Sequence, residues 1–240
     1  MTDLDALRRL AIIGVALAIL IAIVQIGAAL VAFGGDFEAI VFRPEAILGR
    51  GADAALLWRW VLLADMFDSY LLLVPLALFL HRRLRDRRPW LADLGLTGAL
   101  AYIFVGGAAA AILATAGSSL IEAYGAAAPA DRLAIAASFG LLRDALYFGV
   151  WQTLDAITAG TWIFSVGWLL LVDRPVLGRL LVVVGGSCWA FALMTMLDIH
   201  SLAVVGAILV VVVVLWLSWV IIDRRRREQG SDRGSTSHVP

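Results

Sequence analysis

Long apolar runs broken by short charged clusters dominate the chain, and their lengths are the first guide to its fold. A helix crosses hydrocarbon with roughly 20 mostly apolar residues. Six stretches of the 240-residue chain reach that length, at 11–33, 56–80, 90–117, 148–172, 180–197 and 202–222. The expectation is an all-α fold, a polytopic transmembrane helix bundle of six spans filling residues 1–222. The remainder, 223–240, is rich in Ser, Gly and Arg, and reads as a disordered cytoplasmic tail. The first run exceeds the ~7–15 apolar residues of a cleavable signal and lacks a small-residue cleavage site after it, so it is expected to stay as an anchor.

Two outer connections carry pattern of their own. Between 34 and 53, Phe37, Ile40, Val41, Phe42, Ile47 and Leu48 alternate with charges, which suits a segment lying on the membrane surface. From Pro129 a helix can begin, with Asp131 as its cap and Leu133, Ala136, Ala137, Phe139 and Leu142 as its apolar side. That helix is expected to run into the fourth span.

Composition agrees with the pattern: 62% of residues are apolar and mean hydropathy is +0.93, well above the roughly 45–50% apolar share of soluble domains. Net charge is zero, from 19 basic and 19 acidic residues. Position changes that picture, because arginines favour cytoplasmic loops. Arg8 and Arg9, Arg82 to Arg88, Arg174 and Arg179, and Arg224 to Arg227 all fall on one side of six spans. The other side mixes Arg43, Arg50 and Arg132 with Asp36, Glu38, Glu45, Asp53, Glu122 and Asp131. Both termini are therefore expected to be cytoplasmic. Trp58, Trp60, Trp90, Trp168, Trp216 and Trp219 lie near span ends, as an aromatic belt requires. Trp151, Trp162 and Trp189 lie deeper, where an indole N–H needs a partner between helices.

Every basic residue is arginine. Without lysine there is no Schiff-base chemistry, no pyridoxal-phosphate attachment and no Gly-Lys-Ser/Thr phosphate loop. The single Cys188 forms neither an internal disulfide nor a cysteine zinc site. His81, His200 and His238 never pair at helical spacing within a span, which disfavours a bis-histidine haem. Met196, Asp198 and His200 cluster in an outer turn, but read as an ordinary turn rather than a metal site. No metalloprotease or nucleophile-elbow motif is present, and Ser187 has no base near it in sequence. Neither enzyme activity, cofactor, metal nor nucleic-acid partner is expected. The arginines at Arg82–Arg88 and Arg224–Arg227 can meet anionic lipid headgroups.

Small residues let helices approach in lipid. Gly14, Ala18 and Ala22 in span one repeat every four residues, as do Gly106, Ala110 and Ala114 in span three, which makes these two the expected central packers. Span six is apolar all round and is expected at the lipid-facing edge.

Carboxyls inside a bilayer are costly and usually face the bundle interior. Asp65 and Asp68 lie three residues apart in span two, near mid-depth. Pro75 follows, and is expected to kink the helix and loosen the backbone near Leu71. At 100° per residue, Asp144 and Asp155 in span four fall within ~20° of one face, with Gln152 a turn before Asp155. Arg59 and Arg143 can extend toward the outer headgroups. One expectation is a shared polar cavity of Asp65, Asp68 and Asp155 that Gln25, Gln152 and Tyr70 reach, able to carry protons or hold a cation. The other is structural, with Arg59 paired to Asp144 and the deeper acids merely hydrogen-bonded across helices.

The run Thr161-Trp162-Ile163-Phe164-Ser165-Val166-Gly167-Trp168-Leu169-Leu170-Leu171, then Pro175-Val176-Leu177-Gly178-Arg179, resembles a bacterial family of six-helix integral membrane proteins known as a domain of unknown function. The resemblance implies a six-helix fold in a bacterial inner membrane, and no site residues. The functional expectation is a non-enzymatic regulatory or interaction protein; the alternative is a small proton- or cation-coupled permease or channel using the buried aspartates.

Overall fold

The computed structural model describes residues 3–33 and 45–198. The expected span at 202–222, the tail with Arg224–Arg227, His200, His238 and residues 34–44 lie outside that range. The described residues form helices α1 (Asp3–Phe33) and α2 (Glu45–Leu48), then α3 (Ala52–Leu84), α4 (Pro89–Ala126), α5 (Pro129–Leu170) and α6 (Pro175–Met196). All except the single turn α2 are long and apolar enough to cross a membrane, and no strand occurs among the described residues. Proline opens α4, α5 and α6, where its fixed φ suits a first turn and its missing N–H costs nothing. Gly51, at φ 78°, precedes α3.

The helix beginning at Pro129 does run without a break through the fourth apolar stretch to Leu170. Asp131 is not its cap: Ala128 occupies that position, and the Asp131 amide donates to the Ala128 carbonyl. Pro already starts the helix, so an acidic cap three residues in has no role.

Three helices leave regular α winding within the apolar depth. In α3, Met66–Tyr70 is a π turn and Leu71–Leu73 a 3₁₀ turn before α winding resumes at Val74. The cause is Pro75, which has no N–H to offer and crowds the carbonyl four residues back, on Leu71. Further π segments occupy Leu113–Gly117 of α4 and Ala145–Asp155 of α5.

Apolar packing divides into two clusters. The one near the basic loops gathers Leu76, Phe79, Leu84, Leu91, Ile103, Ile163 and Leu181. The other gathers Ile47, Leu48, Trp58, Leu62, Leu113, Ile121 and Phe139. Ile47 and Leu48 are buried there, so the described part of this connection packs its apolar side chains against α3 and α4 of the chain itself. Trp58 is also buried, its ring 5.8 Å from Phe139 and its Nε1 donating to the Leu113 carbonyl at 3.0 Å. Trp60 and Trp90 are exposed, as a belt position requires, whereas Trp58 is packed inside the bundle.

Among the described residues, span one is not central. α1 lies along α3, with Gly14 seated on the Leu72 carbonyl, where a Cβ would come within 2.5 Å of the oxygen. Leu17, Leu20, Ile23 and Val24 remain exposed on its other faces. Small-residue spacing marks a close approach and does not count a helix's neighbours. α4 does occupy the middle, against both α3 and α5. A glycine seam joins α5 to α6: Gly160 faces the Gly185 carbonyl and Gly167 faces that of Gly178.

Candidate functional site

Between the two apolar clusters, α1, α3, α4 and α5 meet around a polar centre. Its floor is the π turn of α3. Ser69 Oγ lies 3.0 Å from Asp65 Oδ1 and 3.1 Å from Asp68 Oδ1, a pairing brought about by four- and one-residue spacing on the loosened turn. One hydroxyl has one hydrogen, so two full hydrogen bonds here need a second proton from an acid. Gln25 of α1 lies within hydrogen-bonding reach of Asp65. Asp65 is half-buried, whereas Asp68 is 4% exposed.

Across the centre, Asp155 of α5 is 5% exposed and accepts a hydrogen bond from the Tyr70 hydroxyl at 2.6 Å. Asp155 also lies near enough to Asp65 for their charges to interact. Three acids from two helices thus share one site. Buried carboxyl oxygens usually find partners, yet Asp68 Oδ2 and Asp155 Oδ1 have none.

Gly106 of α4 makes the arrangement possible. A Cβ there would overlap the Tyr70 ring and come within 2.6 Å of Asp155 Oδ2. Its carbonyl accepts from Trp151 Nε1 at 3.3 Å. The adjoining Tyr102 ring has its centroid 4.9 Å from that of Tyr70.

The π winding of α5 decides which of its polar residues face inward. Gln152 is 3% exposed; its Oε1 accepts from Thr195 Oγ1 of α6 at 3.4 Å, while its Nε2 has no partner. Asp144, in contrast, is exposed. A π segment with i→i+5 bonds turns roughly 80° per residue, so eleven residues bring Asp144 to the far side of the helix from Asp155. The shared face expected from α geometry is therefore lost. Asp144 pairs with its neighbour Arg143, and Arg59 does not reach it. Arg59 instead donates from Nε and Nη2 to Ser118 Oγ at 3.2 and 3.0 Å, with Glu122 at 3.9 Å.

The seven residues singled out from sequence thus separate. Asp65, Asp68 and Asp155 are drawn toward the centre, with Gln25 and Tyr70 beside them, while Gln152 is buried against Thr195 of α6. Arg59 stands apart from the centre, bound to Ser118 of α4, and Arg143 and Asp144 form a local pair. Sequence reasoning missed Ser69, Tyr102 and Thr195. Ser69 was detectable, since a hydroxyl four residues after one acid and one after another can serve both. Tyr102 and Thr195 carried no such signal.

Trp151 and Trp189 both find carbonyl partners, Trp189 Nε1 donating to Ile157 at 3.1 Å. Cys188 is buried and free. At the basic ends, Arg87 donates to the Leu169 carbonyl at 2.7 Å and pairs with Asp173, tying two loops together. Comparison of the chain with protein-family models, curated proteins and solved structures finds no match.

Proposed function

We propose that the chain is a non-enzymatic, multi-pass protein of a bacterial inner membrane whose acid centre takes up and releases protons, as the working part of a small permease or channel. The observation that carries this reading is the pair of buried, unpartnered carboxyl oxygens, Asp68 Oδ2 and Asp155 Oδ1, within one three-acid site. A purely structural acid at a helix contact gains by satisfying both oxygens, because each orphaned buried atom costs about 1–3 kcal/mol. A proton-exchanging acid needs a free oxygen to receive the proton. Ser69, held between two acids, supports the same reading.

A proton is favoured over a metal ion because, among the described residues, no three His, Cys, Asp or Glu side chains form a group able to hold one. The loosened winding of α3 and α5 also fits, since π and broken segments in spans frequently mark functional sites. The regulatory alternative rests on loops and a tail rather than on this geometry. In the proposed topology residues 202–222 add a sixth span and both termini are cytoplasmic, which the arginine bias supports.

The test is proton flux into proteoliposomes under an imposed pH gradient. Wild type should exceed empty vesicles, and Asp65→Asn and Asp155→Asn should each abolish most of the difference. Equal flux in all three proteins would reject a proton-carrying role for these acids.

A further inference from the structure

At the basic end of the bundle the described arginines divide by what they touch. Arg87 pairs with Asp173 and donates to the Leu169 carbonyl, and Arg85 lies 3.6 Å from Asp93, whose carboxyl also meets His81. These two hold loops and helix ends together. Arg8, Arg83 and Arg174 are engaged within the chain as well. Arg9 of α1, Arg82 of α3, Arg88 just before α4 and Arg179 of α6 are exposed, and among the described residues their guanidinium groups meet no acid, carbonyl or ring.

The far end is different. Arg59 holds Ser118 and approaches Glu122, Arg132 reaches the Ala127 carbonyl and lies over the Tyr124 ring, Arg143 pairs with Asp144, and Arg50 is engaged too. The unpaired charges there are acids, Asp53 and Asp131, whereas at the basic end Asp3 and Asp86 face four unpaired arginines. Topology does not require this division, because the bias toward one side counts arginines with little regard to nearby acids.

Three of the four stand at the edge of exposed apolar surface. Arg9 adjoins Leu10 and Ile13, Arg88 is two residues from Trp90, and Arg179 lies between Val176 and Val183. A long side chain in such a setting lays its stem along the apolar surface and carries its charge to the headgroup layer, the level that suits the Trp90 indole.

We infer that Arg9, Arg82, Arg88 and Arg179 form an interaction surface for anionic phospholipid headgroups, by which the bundle holds phosphatidylglycerol-type lipids at its basic end in preference to zwitterionic ones. The expected run Arg82–Arg88 is thereby narrowed, since Arg85 and Arg87 are spent on internal pairs, and it is extended to two further helices. The occupant is a lipid and not a soluble anion, because the arginines stand on separate helices beside apolar surface that acyl chains cover. The surface is independent of the proton-handling centre.

The experiment measures, by native mass spectrometry of the full chain in detergent, how much phosphatidylglycerol is retained relative to phosphatidylcholine of the same chain length. Wild type should favour phosphatidylglycerol at least about tenfold. Arg88→Gln and Arg179→Gln should each lower that preference about fivefold, whereas Arg88→Lys, which keeps the charge, should preserve most of it. Arg85→Gln and Arg132→Gln should change it less than twofold. Glycerol phosphate, the headgroup chemistry without chains, should not displace the lipid. Equal retention of the two lipids by wild type overturns the inference. So does a loss in Arg85→Gln as large as in Arg88→Gln, which would make net charge the cause, or displacement by glycerol phosphate, which would make the occupant a soluble anion. None of these readings depends on proton flux, so this surface and the acid centre stand or fall separately.

Discussion

The brace around Arg59 and the centre around Asp155 are both polar contacts between helices, yet they differ in what is left over. At the brace, Arg59 gives two hydrogen bonds to Ser118 and approaches Glu122, while nearby Trp58 caps the Leu113 carbonyl. At the centre, Asp65, Asp68, Ser69, Tyr70 and Asp155 converge and two acid oxygens remain unsatisfied. The brace thus resembles a fastening, whereas the centre bears an energetic cost that a fastening would avoid. Polar groups inside a bundle are informative when their hydrogen-bonding capacity is counted, not merely when they are found there.

Substitutions can sharpen this contrast, beginning with the largest effect. Gly106→Leu forces a side chain into the space of Tyr70 and Asp155, and should destabilise the bundle by about 3 kcal/mol or more. Thermal unfolding in detergent would show it, and a wild-type midpoint would disprove the close approach at that position. Tyr70→Phe removes the donor to Asp155 and leaves a second acid oxygen unpaired. A loss of about 1–2 kcal/mol is expected, together with altered proton flux; an unchanged midpoint would mean the bond contributes nothing.

Trp58→Phe keeps the ring against Phe139 but deletes the bond to Leu113. Its expected cost is about 1 kcal/mol, with flux retained. Arg59→Ala, at a half-exposed site, should cost less than about 1 kcal/mol and also leave flux intact. Flux loss in either brace variant would erase the distinction between fastening and centre.

Much of this arrangement was legible in sequence because hydrophobic run length and buried acids are strong, local signals. Asp65 and Asp68 are three residues apart, and Pro75 foretells the changed winding that brings Ser69 between them. The partnership of Asp155 with Tyr70 was weaker, depending on which helices touch. Two errors have separate physical origins. Asp144 was placed beside Asp155 by assuming 100° per residue, but the eleven-residue π segment rotates it away. α1 was given a central place from its glycine and alanine spacing, yet a small-residue ladder specifies one close neighbour, and that neighbour is α3. Trp58 and Ile47 were assigned to the membrane surface for their amphipathic settings; their burial depends on α4 and α5 arriving above them, which no local pattern encodes.

The most direct test of the difference between centre and brace is a paired flux measurement on Asp155→Asn and Arg59→Ala, reconstituted at equal protein density with wild type alongside. Proton flux is expected to fall to nearly the empty-vesicle level in Asp155→Asn and to stay near wild type in Arg59→Ala. The same flux in both variants, whether preserved or lost, would contradict a chemically active centre.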